Sequence, residues 1–200
     1  AIKIYNQLEK YKGLDKHIII QKQKLYLENN DLNGAITEIK KLIEVDKTDL
    51  QAYQILSELY LLSNEKEKAF EVFKKILELD PEDAKVHLTL ADYYRDEGDN
   101  EASYKQLKAA FSSPKLSIDV KVNILISYYS ISDEYGQMKK QAMELCEILI
   151  GVHKNNPIAH AIYGDFLYKD GRNKEAKVQY KKVIAQDQNR PQVWSQLLFI

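Results

Sequence analysis

Residues Leu50 to Asp83 read LQAYQILSELYLLSNEKEKAFEVFKKILELDPED. Tyr53, Leu56 and Tyr60, then Ala69, Phe73 and Ile76, recur at helical spacing on either side of a polar turn containing Glu65 and Glu67, and Pro81 closes the stretch. Such spacing predicts a helix, a turn and a second helix. Apolar residues at that spacing occur in any helical protein, so the stretch decides the fold only if its register returns elsewhere.

It returns in both directions. One period later stand His87, Leu90, Ala91 and Tyr94, then Ser103, Leu107 and Ala110, with Pro114 one residue early; one period earlier stand Ile19, Tyr26, Ala35, Ile39 and Leu42. A further copy carries His160, Tyr163, Gly164 and Leu167, followed by Ala176, Tyr180 and Val183. The pattern W-x2-L-G-x2-Y, A-x3-F and a final proline over 34 residues is that of the tetratricopeptide repeat family, which the chain resembles, with Tyr53 for Trp and Ser57 for Gly. The resemblance implies an all-α, right-handed superhelical solenoid of antiparallel helix pairs. The register divides it into a partial unit 1–15, complete units 16–49, 50–83, 84–117, 118–156 and 157–190, and a partial unit 191–200. A repeat array of this kind is one elongated body rather than several domains.

Both ends fall inside a unit. Ala1, Tyr5 and Leu8 occupy positions 20, 24 and 27, and Pro191, Trp194, Leu197 and Leu198 occupy positions 1, 4, 7 and 8, so the register predicts a segment of a longer array. Trp194, Leu197, Leu198, Phe199 and Ile200 then lack a covering second helix, which predicts fraying or end-to-end self-association.

Two units depart from the pattern. In 16–49, Lys22 and Gln23 stand where a large apolar and a small residue are expected, so looser packing of that pair is predicted. In 118–156, counting back from Pro157 places Ala142, Cys146 and Leu149 on positions 20, 24 and 27, and Tyr128 or Tyr129 then lies 13 or 14 residues before Ala142 instead of nine. Four or five extra residues therefore fall near Ser130 to Gln137, as a longer surface turn or a loop that contacts a partner. Elsewhere Gly13 ends a helix, the turn Asn29-Asn30-Asp31 is expected to supply capping side chains for the helix after it, Gly98-Asp99-Asn100 to end one helix and cap another, and Asp80 with Pro81 to start another.

Composition excludes several functions. Lys and Arg total 29 against 30 Asp and Glu, so the net charge of -1 gives no general attraction to nucleic acid or anionic lipid. No apolar run reaches the roughly 18 to 20 residues that cross a bilayer. The single cysteine, Cys146, falls on a packing face and leaves the compartment, cytoplasm or periplasm, open. His87 and His160 occupy position 4, where a ring packs between helices, and His17 and His153 have no second ligand at metal spacing. There is no Gly-rich phosphate loop, nucleophile elbow or zinc-protease motif. The reading is a non-catalytic protein that needs neither cofactor nor metal.

What remains after the packing positions are removed is the candidate binding surface. In arrays of the family this chain resembles, positions 2, 5, 9, 12 and 13 of the first helices line a concave groove for a peptide or protein segment. Carried over, they are Ile20, Lys24 and Leu27; Gln54, Glu58, Leu61 and Leu62; Leu88, Asp92, Arg95 and Asp96; and Ala161, Asp165, Tyr168 and Lys169. Position 9 turns acidic after the first unit, with Glu58, Asp92 and Asp165 where a clamp for a chaperone's C-terminal carboxylate would need neutral or basic side chains. The resemblance thus implies an interaction scaffold whose partner segment is apolar with some basic residues. The alternative is a structural assembly or envelope-associated factor that acts by self-association of the array.

Overall fold

The computed structural model describes residues 1–131 and 136–200, which form two compact units, 1–86 and 87–200. Among the described residues there are twelve helices and no strand. Half of the stretch assigned the extra residues, positions 132–135, lies outside the described residues.

The first unit holds α1 (Ile2–Lys12), α2 (Lys16–Glu28), α3 (Leu32–Val45), α4 (Leu50–Leu62), α5 (Lys66–Leu79) and the start of α6 (Ala84–Asp96). Helices α2 with α3, and α4 with α5, pack as antiparallel hairpins. Both hairpins turn in the same way. The amides of Asp31 and Glu65 donate to the carbonyls of Tyr26 and Tyr60 at 2.8 Å, and the preceding Asn30 and Asn64 adopt positive φ of 56° and 58°, a conformation that asparagine tolerates better than most residues. Asp31 and Asp49 then accept from the amides of Gly34 and Ala52, so α3 and α4 start on capping side chains.

The joint before α6 differs from expectation. Asp80 accepts from the amide of Glu82 in a local turn, and it is Asp83 that accepts from Val86 at 3.0 Å and caps α6. Pro81 therefore belongs to the turn, because a helix begun at Pro81 would leave too few residues to reverse the chain after α5.

Ala35, Ala52 and Ala69 are fully buried, which lets neighbouring helices approach, while Ile19, Ile39 and Ile76 fill the space between them. Burying each such isoleucine contributes roughly 1.5 to 3 kcal/mol. The looser packing predicted around Lys22 is not what forms. Lys22 is 1% exposed, with its ammonium 2.7 Å from Glu9 Oε2 on α1 and 2.8 Å from Glu38 Oε1 on α3. Close by, Tyr26 lies so near Gly34 that a Cβ on the glycine would stand 2.3 Å from its ring.

The second unit continues α6 and adds α7 (Asn100–Ser112), α8 (Ile118–Ile131), α9 (Gly136–Val152), α10 (Pro157–Lys169), α11 (Asn173–Gln186) and α12 (Pro191–Phe199). The same turn recurs: Asp99 and Arg172 amides donate to Tyr94 and Leu167 carbonyls at 2.9 Å, after Gly98 and Gly171 at φ of 81° and 74°. Residues 30, 64 and 98 are one period apart, but 171 lies five residues beyond two further periods. The excess is therefore five. Part of it is visible in α9, which runs 17 residues where α2 and α3 run 13 and 14. Ala142, Cys146 and Leu149 on α9 are fully buried in the core of this unit, so the register counted back from Pro157 fits their burial. Between α10 and α11, Gly164 admits the Tyr180 ring to within 2.5 Å of where a Cβ would be.

Candidate functional site

In the first unit the groove positions lie on α2 and α4. Ile20 and Leu27 are half-buried and Lys24 is exposed. On α4 the Gln54 amide donates to Asp83 Oδ2 at 3.3 Å, and Glu58, 60% exposed, pairs with Lys85 at 3.2 Å. Leu61 and Leu62 follow at 43% and 67% exposure, two large apolar side chains in water at the end of the helix. Each could lose that exposure against a partner.

In the second unit the positions lie on α6 and α10 and split by environment. Asp92 and Arg95 pair at 2.7 Å across one turn of α6, both about two-thirds exposed, with Asp96 exposed beside them and Leu88 half-buried. On α10 the polar groups are already engaged. Asp165 accepts the Tyr180 hydroxyl at 2.8 Å; burial pushes its carboxyl up, while that hydrogen bond pulls the other way. The Lys169 ammonium donates to the Tyr129 carbonyl and lies 4.2 Å above the Tyr129 ring, and Ala161 and Tyr168 are half-buried. Position 9 is thus acidic in sequence but locally answered in space: Glu58 by Lys85, Asp92 by Arg95, and Asp165 by a tyrosine.

Leu88, Asp92 and Arg95 are brought together on the wall of a cavity of about 580 Å³ formed by α6, α7, α8 and α9. Sequence reasoning missed the other walls: Tyr104 and Leu107 from α7, Ile124 and Tyr128 from α8, and Gln137, Met138 and Gln141 from α9. Tyr104 is anchored, donating to Glu144 Oε2 at 2.8 Å, and burial and that acceptor together push its phenol far up. The signal that could have found the cavity is the length anomaly. If Ala142 is position 20, a regular second helix begins at Lys139, so Gln137 and Met138 come from the added turn of α9.

The histidines at position 4 are packing residues with a polar partner. His87 Nδ1 lies 2.7 Å from Gln106 Oε1 and His160 Nδ1 lies 2.8 Å from Gln179 Oε1, the same spacing of 19 residues in each unit. His160 Nε2 also meets the Lys154 carbonyl at 2.8 Å. His153 meets a buried lysine: the Lys121 ammonium, with no exposed surface, lies 3.1 Å from His153 Nε2 and donates to the Ser113 carbonyl at 2.9 Å. Burial lowers Lys121 to about 8 and, with the Lys121 charge, lowers His153 as well. The Cys146 thiol is pushed up by burial, chiefly, and by nearby carboxylates, so it is not a nucleophile. Among the described residues no group of three His, Cys, Asp or Glu side chains is placed to hold a metal, and no helix is long and apolar enough to cross a membrane.

A family model described as a tetratricopeptide repeat matches residues 50–83, the stretch from which the register was read. Solved structures share the fold. A tetratricopeptide repeat protein from Parabacteroides merdae aligns with a TM-score of 0.55 at 11% identity, over 99% of this chain and 90% of its own. The C-terminal part of a repeat-containing protein from Cytophaga hutchinsonii gives 0.55 at 16% identity, over 92% and 72%. YrrB, described as a tetratricopeptide repeat protein with an unusual peptide-binding site, gives 0.52 at 15% identity, over 98% of each chain. These likenesses place the fold among helical solenoids of antiparallel hairpins. No relative was found among curated proteins.

Proposed function

We propose that the chain acts as a protein-interaction scaffold of the tetratricopeptide repeat kind, the first-helix faces of its repeats binding a segment of a partner protein. The observation that carries this reading is the exposure of Leu61 and Leu62, adjacent on the groove positions of α4, where an array with no partner would gain from polar side chains. In the second unit Leu88, Asp92 and Arg95 offer a surface of their own on α6. Because Glu58 and Asp92 each retain a basic neighbour, the segment is held chiefly by apolar anchors, with its own basic residues adding a smaller attraction.

The test is affinity capture from the source cell's lysate with the wild-type chain beside a Leu61→Lys, Leu88→Lys variant, followed by titration calorimetry of each purified candidate. A partner whose affinity falls at least about tenfold in the variant, with both proteins equally folded by circular dichroism, supports the reading. Equal affinity for both baits overturns it. Glu58→Lys with Asp92→Lys is expected to weaken the same partner by about threefold at low salt, and no change removes the electrostatic part.

A second reading, self-association, is favoured by a separate observation. Helix α1 buries none of its residues and exposes Ile4 and Tyr11 at 68% and 91%, while α12 exposes Trp194, Leu198 and Phe199 at 47%, 85% and 77%. Sedimentation velocity of the 200-residue chain across a hundredfold concentration range tests it: a growing mean size supports it, and a constant monomer removes it.

A further inference from the structure

The cavity of the second unit is more specific than an exposed apolar face. Its floor is apolar, with Leu88, Leu107, Ile124 and Met138, and at about 580 Å³ it exceeds by far the about 150 Å³ that already admits a benzene ring. Room for two large side chains follows. Three carboxamides line it as well: Asn100 on α7, and Gln137 and Gln141 one turn apart on a single face of α9. Asn100 and Gln137 are exposed and so stand on its open side. Among the described residues no hydrogen bond engages these three amide groups or the Tyr128 hydroxyl beside them.

Each carboxamide offers a donor and an acceptor, which is what an extended backbone presents and what neither a carboxylate nor a hydrocarbon tail can answer. A partner helix has already spent its amides and carbonyls internally. The charges on the wall, Asp92 and Arg95, neutralise each other and give no reason for a charged side chain to enter. In an extended chain, residues two apart point the same way.

Resting on the interaction-scaffold reading above, we propose that the α6–α9 cavity, opened by the added turn of α9, takes two apolar side chains two residues apart from an extended segment of a partner protein, with Asn100, Gln137 and Gln141 pairing to its backbone. The regular hairpins lack that turn, so this is a specificity site particular to the irregular repeat.

The probe is a random dodecapeptide phage library selected on the 200-residue chain, with the best binders resynthesised as capped peptides and titrated by fluorescence anisotropy. Ser127→Trp fills the cavity from an exposed wall position, Gln137→Leu with Gln141→Leu removes two carboxamides, and Leu61→Lys with Leu62→Lys alters the face of the first unit. Circular dichroism and thermal unfolding verify that each variant folds. The expected binders carry aromatic or branched residues at i and i+2. Ser127→Trp weakens them by about tenfold or more, the double leucine variant and N-methylation between the anchors each weaken them about fivefold, and Val45→Lys, exposed and outside both candidate surfaces, leaves them unchanged.

Binders that ignore Ser127→Trp but are lost on Leu61→Lys with Leu62→Lys overturn the cavity assignment and leave the scaffold reading standing. No binder above background overturns both. Tighter binding of laurate, or of a helix-stapled peptide, that is also lost on Ser127→Trp gives the cavity to a different occupant and overturns this one.

Discussion

Each unit of the molecule buries a lysine, and the two lysines are held in opposite ways. Lys22 in the first unit sits between Glu9 and Glu38, with Lys41 3.0 Å from Glu38 completing a four-charge cluster. Burial alone would lower its pKa, but the hydrogen bonds and attraction of the two glutamates outweigh burial and raise it. Lys121 in the second unit has no carboxylate within ion-pair reach among the described residues, and its pKa falls to about 8. What it has are the carbonyl of Ser113, which caps the C-terminus of α7, and the imidazole of His153, just past the C-terminus of α9. A cation at two helix C-termini gains from both dipoles, though a dipole end replaces only part of a full charge. Burial of a charge is set by its partners, and the sign of the pKa shift reports which partners they are.

The contrast breaks first at Lys22. Lys22→Met leaves Glu9 and Glu38 only the partly exposed Lys41, 3.8 Å and 3.0 Å away, and among the described residues Glu9 Oε1 and Glu38 Oε2 already lack any hydrogen-bond partner. The expected loss is about 3 to 5 kcal/mol by urea denaturation. Changing all three together, as Glu9→Gln, Lys22→Met and Glu38→Leu, is expected to recover most of it; a single Lys22→Met that costs less than about 1 kcal/mol would mean the cluster is solvated and the contrast with Lys121 false.

The neutral pairs of the second unit sharpen the comparison at a smaller scale. Position 23 carries Glu38 in the first unit but Gln106 and Gln179 in the second, each facing a position-4 histidine. Replacing His160 with Leu strands the Gln179 side chain and the Lys154 carbonyl, for an expected cost of about 1 to 3 kcal/mol, read as a lower urea midpoint at unchanged slope. A cost as large as that of Lys22→Met would show that charge is not what separates the two units.

The sequence made the hairpins legible because the same few residues do the same work every 34 positions. Asn30, Asn64 and Gly98 all adopt positive φ, and Tyr26, Tyr60 and Tyr94 all accept the turn's amide. Gly164 was legible as a register position of the repeat, and the Tyr180 ring fills the space its missing Cβ leaves. The cavity was not legible, because an excess of residues between Tyr129 and Ala142 does not say which side of the turn lengthens; it is α9 that grows, and only that choice brings Gln137 and Met138 onto the wall. The groove electrostatics were half legible. Position-9 acids can be counted in sequence, whereas Asp165's use of Tyr180 depends on how α11 packs on α10. Lys22 stood out as a departure, but its answer lies on two other helices, 13 residues earlier at Glu9 and 16 later at Glu38.

The smallest effect tests Lys121 itself, and its sign is opposite to that of a paired lysine. Because its folded pKa lies near 8 and its unfolded value near 10.5, the unfolded chain binds the extra proton between those limits, so the fold gains stability as pH rises through that window. Below pH 8 both states are protonated, and the full cost of burying the ammonium is present. Other groups titrate nearby: Tyr128 and Tyr163, raised chiefly by burial, begin to oppose the trend above pH 10. The informative quantity is therefore the difference between wild type and Lys121→Met in urea denaturation at pH 7.5 and pH 9.5. Wild type should gain on the variant by of order 1 kcal/mol over that interval, the two helix ends having supplied part of the missing charge. His153, whose pKa is lowered, stays neutral throughout and can accept from the ammonium only as the Nδ1-protonated tautomer. A difference that is flat, or that runs the other way, would place an anionic partner beside Lys121 and make the two buried lysines alike.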